Sequence, residues 1–356
     1  MKALVLSGGK GTRLRPITHT SAKQLIPVAN KPILFYGLEA IAQAGIREVG
    51  IVVGDTIQEI RQSVKDGSSF GLNVTYIPQE APLGLAHAVK ISKDFIGKES
   101  FLMFLGDNLL KEGLADLVQE FKDKKPNSQI LVSKVPNPQQ FGVVEVDGED
   151  RAVRLVEKPK MPQSDLALVG VYLFDSHIFK AVDEIKPSGR GELEITDAIQ
   201  WLLDHKYQVI CKRVTGWWKD TGKLEDLLEA NRLILEGIKS HSDTASQVDS
   251  KSKLEGRVVL EAGAQILHST VRGPAIIGKN TRIYNSYIGP YTAIYHDVSV
   301  EESEIEHSIV LEHAHLKNVH SITDSLIGQR VEVIKSPATP SAYRLMLGDS
   351  SRVEIP

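Results

Sequence analysis

MKALVLSGGKGTRLRP, residues 1–16, runs an apolar stretch that reads as a strand straight into a turn holding Gly8, Gly9 and Gly11, with Arg13 beside it. Bare backbone and positive charge at the end of a first strand suit a ligand bearing anionic groups, because unshielded N–H groups can face it. Neither familiar phosphate loop fits. A dinucleotide fingerprint requires a third glycine where Leu14 stands, and a Walker loop requires Gly-Lys-Ser/Thr at a spacing that is absent. The bland alternative, a tight strand-to-helix turn and nothing more, stands beside the functional one until other residues decide between them.

Outward from that turn, β-rich apolar runs alternate with amphipathic stretches. KALVLS, EVGIVVG, NVTYIP, SFLMFLGD and QILVSKV read as strands; KPILFYGLEAIAQAG, IQEIRQSVKDG and GLADLVQEFKDKK read as helices between them. This alternation predicts an α/β fold with a Rossmann-like, mostly parallel sheet covered on both faces, and ligands at the carboxyl ends of its strands. A last helix, KLEDLLEANRLILEG, leads into the polar, Ser-rich stretch SHSDTASQVDSKSK, which has no periodicity. The expected division is a first domain over 1–236, a linker over 237–255 and a second domain over 256–356.

The second domain carries a different period. Leu260 and Ile266, Ile277 and Ile283, Ile288 and Ile294, Val310 and Leu316, and Ile327 and Val333 are aliphatic pairs six residues apart. A six-residue period fits neither helix nor heptad and predicts a left-handed parallel β-helix with its aliphatics stacked inward. His268, His296, His307, His313, His315 and His320 are scattered singly here and are expected as polar rungs on the outer face rather than metal ligands. After Pro337 and Pro340 the closing segment regains apolar character and is expected to fold back as a cap or contact. Strand edges and coil ends left open by such a domain are usually buried in assembly, so a homo-oligomer is expected.

Composition narrows the classes. At 356 residues and 42% hydrophobic the chain can bury at least one large core, and Lys plus Arg (42) nearly balances Asp plus Glu (45). No global field advertises nucleic acid or an anionic membrane. A lone Cys211 excludes an intrachain disulfide framework and a cysteine-rich metal site, and points to a reducing compartment. The opening ALVL is too short for a signal segment and no stretch approaches a membrane span, so the expected location is cytoplasmic.

Laid in order, LSGGKGTRLRP, KQLIPVANKP, QEAPLGLAHAV, FLMFLGDN, FGVVEVD, VEKP, RGELEITD and WWKDTG decide the function. Together they resemble the sugar-nucleotide pyrophosphorylases, and within them the long form of the glucose-1-phosphate thymidylyltransferase branch, over nearly the whole chain. The resemblance implies transfer of a deoxythymidylyl group from dTTP to glucose 1-phosphate, with Mg2+, releasing pyrophosphate. Such a reaction joins two polyanions, so charge neutralisation and in-line positioning dominate and no nucleophile–base pair is needed. By the same resemblance Asp107 and Asp220 hold the metal, and Arg13, Lys23 and Lys158 are the catalytic cations. Leu6, Gly8, Gly9, Gly11, Thr12, Gln24, Gln79, Pro82 and Gly84 surround the nucleotide, with Gln24 and Gln79 reading the base. Asn108, Gly142, Glu157, Lys158, Val169, Tyr172 and Arg190 receive the sugar phosphate. Phe141 and Val169 depart from the short enzymes and bear on sugar choice. The rival readings are a UTP enzyme, a catalytically silent regulatory subunit and a bifunctional acyltransferase.

Overall fold

The computed structural model describes residues 1–9, 11–19, 21–336 and 345–354; Pro337, Pro340 and the rest of 337–344 lie outside the described residues. The chain forms two compact units, and the division is not collinear with the sequence. The first comprises Met1–Lys10, Ser21–Leu25 and Ile33–Asp220; the second comprises Gly11–Thr20, Ile26–Pro32 and Thr221–Pro356.

In the first unit the strand Lys2–Ser7 lies at the centre of a nine-stranded sheet. Glu48–Val53 and then Asn73–Pro78 extend the sheet in parallel on one side, and Phe101–Leu105 joins in parallel on the other. Every second residue of the central strand faces the same way, so Leu4 and Leu6 enter one core and Ala3 and Val5 the other. Helices Leu85–Ile91, Ile178–Glu184 and Ile195–Asp204 supply buried residues to the first core. Ile33–Gln43, Ile57–Val64 and Ala115–Lys124 supply the second. All five strands and three helices read from the first 135 residues form where periodicity put them.

Beyond Phe101–Leu105 the Rossmann-like parallel part gains an antiparallel wing. Leu166–Phe174 pairs antiparallel with Phe101–Leu105 and with Ser128–Lys134, and Gly142–Val146 pairs antiparallel with Ala152–Glu157. A short turn at 147–151 dictates the latter, since strands joined by a tight turn have no room to cross over. Leu166–Phe174 is buried along its whole length and shifts register between Leu168 and Tyr172, at Gly170 with φ 75°. Such a bulge re-aims the strand beside the site described below.

In the second unit three parallel sheets, of six, six and four strands, make the β-helix. The predicted pairs occupy its core: Leu260, Ile266, Ile277, Ile283, Ile288, Ile294, Val310 and Leu316 are fully buried, with Ile327 and Val333 packed on them. The middle coils are shorter than three hexads: Gln265 pairs with Arg282 and Arg282 with Ser299, a repeat of seventeen residues, so one side of each of these coils has five. The first coil has the full eighteen, His241 pairing with Val259, and a later one has sixteen, Ser299 pairing with His315. A serine ladder fills that side: Ser252, Ser269 and Ser286 each accept, on Oγ, the backbone N–H of the serine seventeen residues on, at 3.0–3.1 Å. A buried corner N–H needs such a partner.

The stretch expected as a linker is the first coil. His241–Ser242, Gln247–Val248 and Lys253–Glu255 pair with Val258–Leu260, Gln265–Leu267 and Thr270–Arg272. Its polar residues are corner residues: Asp243 Oδ1 accepts Ala245 N–H, and Asp249 accepts from Lys251, Ser252 and His268. His268, His307 and His313 occupy positive-φ corners of later coils. Helix Leu224–Leu235 also belongs to this unit. Its Leu235 is buried with Ala29 and Ile276, Asn231 accepts Ala29 N–H at 2.9 Å and donates to Tyr291 O at 2.9 Å, and Asn30 donates to Ile294 O at 2.8 Å.

Candidate active site

The carboxyl ends of the parallel strands converge on glycines. Gly8 follows the central strand and Gly54 the next, and a Cβ added at Gly8 would lie 2.9 Å from Gln79 Oε1. Gly106 N–H donates to Leu6 O at 2.9 Å, which ties the end of Phe101–Leu105 to the end of the central strand. Phe101–Leu105 is reached after the chain has crossed to the far side of Lys2–Ser7, so these ends meet at a topological switch point, where open α/β sheets bind ligands. The bare backbone of the opening turn therefore has a local cause at Gly8, close approach of the Gln79 amide.

Asp107 and Asp220 come together through a two-stranded ribbon. Asn108–Leu110 pairs antiparallel with Trp218–Asp220, with Asn108 opposite Asp220, so the aspartate before Asn108 and the one facing it are neighbours. Lys23 Nζ makes an ion pair with Asp107 Oδ2, and Asn108 Nδ2 donates to Asp107 Oδ1 at 3.0 Å. Trp218 Nε1 donates to Asn108 Oδ1, which locks the asparagine. Both Lys23 and Asp107 are mostly buried, at 10% and 20% side-chain exposure, so the ammonium meets its carboxylate with little water between. Among the described residues no group of three or more His, Cys, Asp or Glu is arranged as a metal cage. Two carboxylates fit a hard divalent ion that keeps waters and draws its remaining oxygens from phosphates.

A second cluster is centred on Glu157. Arg190 Nη2 donates to Glu157 Oε1 at 3.0 Å and to both oxygens of the buried Glu194 at 2.9 Å; Thr196 Oγ1 donates to Glu157 Oε2 at 3.1 Å. Burial, then the neighbouring Glu194 charge, raises the Glu157 carboxyl above its ordinary pKa, against the opposing pull of Lys158, Thr196 and Arg190. A Cβ at Gly142 would come 2.5 Å from Thr196 Cγ2 and 3.1 Å from Glu157 Oε2, so only glycine fits. Lys158 is more exposed than Glu157 and carries φ 42°. Phe141 meets Trp218 edge-on at 5.8 Å.

The remaining sequence candidates divide. Gln24 is 3% exposed, and its Oε1 has no hydrogen-bond partner among the described residues. Pro82 and Gly9 are exposed. Gly84, with φ 104°, is required by the protein itself, because a Cβ there would sit 2.3 Å from Leu193 O. Val169 and Tyr172 are buried in the two cores, and Tyr172 stacks on Phe174 at 5.9 Å. Tyr172 thus stands behind Glu157, whose charge, after burial, raises the phenol pKa. Arg190 is committed to carboxylates, which makes it a support for Glu157 and Glu194. Gly11, Thr12 and Arg13 belong to the second unit: Gly11, at φ 61°, opens a short turn over Thr12–Leu14, its carbonyl accepts Thr18 Oγ1–H at 2.7 Å, and Thr12 and Arg13 are exposed.

Residues 2–237 match the nucleotidyl transferase family. The chain belongs to that family. Among curated relatives, this nucleotidyl transferase is 56% identical over 355 residues to a glucose-1-phosphate thymidylyltransferase of Streptomyces griseus, covering 100% of this chain and 99% of that one. It is 52% identical over 356 residues to one of Streptomyces antibioticus, with the same coverages. Among solved structures, a Bacillus anthracis protein assigned as a glucose-1-phosphate thymidylyltransferase, crystallised with sucrose, aligns with TM-score 0.63 at 34% identity, covering 68% of this chain and 97% of that one. No helix among the described residues of this nucleotidyl transferase is long and apolar enough to cross a membrane. Sequence reasoning missed Glu194, Thr196 and Trp218, which hold the candidate residues Arg190, Glu157 and Asn108. All three lie inside motifs quoted for the resemblance, so motif membership was the available signal.

Proposed function

We propose that the protein transfers the deoxythymidylyl group of dTTP to glucose 1-phosphate, giving dTDP-glucose and pyrophosphate. The observation that carries this reading is the ribbon that brings Asp220 opposite Asn108, beside an Asp107 already paired with Lys23. Full-length similarity to two relatives that bear this activity's name supports the choice of substrates.

Asp107 and Asp220 would hold Mg2+, the ion whose preference for few carboxylates and retained water matches this donor set. When bound, that ion supplies charge stabilisation at the reacting phosphates. Lys23 holds Asp107 in place and adds positive charge beside it. Arg13, with the N–H groups around Gly8, Gly9, Gly11 and Thr12, takes the pyrophosphate that leaves, while Leu6 and Pro82 bound the nucleotide. Lys158 takes the phosphate of the sugar, and Glu157, Asn108 and the main chain at Gly142 and Val169 take sugar hydroxyls. No residue need remove a proton: the attacking phosphate oxygen is already ionised near neutral pH. Gln24 and Gln79 read the base. The first β-helix coil leaves Val248 and Leu254 partly exposed at inward-facing positions, which supports assembly into a homo-oligomer.

The test is a matrix of nucleoside triphosphates against sugar 1-phosphates, followed by pyrophosphate release. dTTP with glucose 1-phosphate is expected to give the highest kcat/KM, with UTP slower but measurable, since one methyl in an apolar pocket discriminates by only about 10–200-fold. Chelation of divalent ions is expected to stop release. A higher kcat/KM for UTP, ATP or GTP refutes the substrate assignment.

A further inference from the structure

Gln79 follows the strand Asn73–Pro78, and its backbone N–H donates to Val53 O at 2.8 Å, so its position at the strand end is fixed. Its amide is held separately. Nε2 donates to Nδ1 of His87 at 3.0 Å, from the helix Leu85–Ile91, and Oε1 is left turned toward Gly8. An amide has two nearly isosteric ends, and its neighbours decide which faces a ligand. An imidazole accepts a hydrogen bond only on an unprotonated nitrogen. Burial and the nearby Lys90 hold the His87 pKa below its ordinary value, which favours the neutral ring; facing the Gln79 N–H, the neutral ring takes the Nε2–H tautomer, with Nδ1 as the acceptor.

The consequence bears on base choice. Thymine and uracil present an imide N–H between two carbonyls, whereas cytosine presents a bare ring nitrogen beside an amino group. An acceptor at Oε1 suits the imide; a turned amide would set N–H against N–H. We propose that His87 is a positioning residue: by engaging Nε2 of Gln79 it fixes Oε1 toward the nucleotide and makes the site select imide-bearing pyrimidines over cytosine. This rests on the base-reading role proposed for Gln79.

The experiment measures kcat/KM for dTTP and dCTP in the full-length wild type, His87→Phe, His87→Leu, His87→Asn, Gln79→Ala and the Gln79→Ala/His87→Phe double variant. Both His87→Phe and His87→Leu remove the acceptor and are expected to narrow the dTTP:dCTP ratio about tenfold, since an unpaired polar end forfeits on the order of one hydrogen bond's discrimination. His87→Asn offers an amide oxygen near the same position and is expected to restore most of the ratio, which a purely structural loss would not allow. In the Gln79→Ala background His87→Phe is expected to change the ratio no further. If Gln79→Ala collapses the ratio while His87→Phe and His87→Leu leave it intact, the positioning role is overturned and base reading by Gln79 survives. An unchanged ratio in Gln79→Ala overturns both.

Discussion

Asp107→Asn is expected to lower kcat/KM for dTTP and glucose 1-phosphate by at least about a hundredfold in a protein that still folds. The substitution keeps the shape and removes an anionic ligand of the divalent cation that would offset the repulsion between two polyanions. It also leaves the Lys23 ammonium, only 10% exposed, facing a neutral amide. Stability is therefore expected to fall by about 1–3 kcal/mol, the cost of a mostly buried polar group losing its partner. Thermal melting separates that loss from the catalytic one. Asp220→Asn, on the facing strand, is expected to give a comparable catalytic loss. Near-normal turnover in a folded variant of either aspartate contradicts the role given to it.

Removal of 237–356 is expected to cost solubility and nucleotide affinity together. Every catalytic motif precedes residue 237, so the sequence alone predicts that a soluble remainder lacking residues from about 250 onward keeps binding dTTP. The structure changes that expectation. Leu235, fully buried, loses Ile276 as cover, and the hydrogen bonds from Asn231 to Tyr291 O and from Asn30 to Ile294 O disappear. Uncovering one Leu-sized side chain costs about 1.5–3 kcal/mol, and a whole domain is typically stable by only about 5–15 kcal/mol. The turn bearing Arg13 is affected as well: Ile17, four residues on, sits against Gly328 in a late coil, where an added Cβ would lie 3.4 Å from Ile17 Cδ1. Light scattering and dTTP titration of the full and truncated chains are the measurements. A truncated chain that is monodisperse, as heat-stable as the full chain and unchanged in dTTP affinity would show that this packing is idle.

Much of this was legible in the sequence, and each gap has a physical reason. Period-two and period-3.6 runs locate the central strands and their helices, and the carboxyl-edge rule puts Gly8 and Asp107 at one sheet end. The continuous apolar run LALVGVYLF carries no signal of direction, so the antiparallel entry of Leu166–Phe174 was invisible. The first coil read as a linker because β-helix corners use the same Ser, Asp and Lys residues as linkers; the Asp243 and Asp249 corners are told apart only by their pairing. Hexads expose the β-helix, but its five-residue side depends on buried serines seventeen residues apart, a spacing that a six-residue aliphatic period does not carry. Arg190 looked like a phosphate ligand because a sequence cannot reveal that Glu194, 4% exposed, lies under it. The grouping of the Arg13 turn with the β-helix is a long-range contact with no local trace.

The most direct test of the account is the stereochemical course at the transferred phosphorus. One diastereomer of the α-thio analogue of dTTP is incubated with glucose 1-phosphate and the purified protein, and the configuration of the resulting thio-dTDP-glucose is determined. A single in-line displacement by the sugar phosphate, with no nucleophilic side chain intervening, predicts inversion. Retention, or failure to form the nucleotide sugar from dTTP itself, would contradict it.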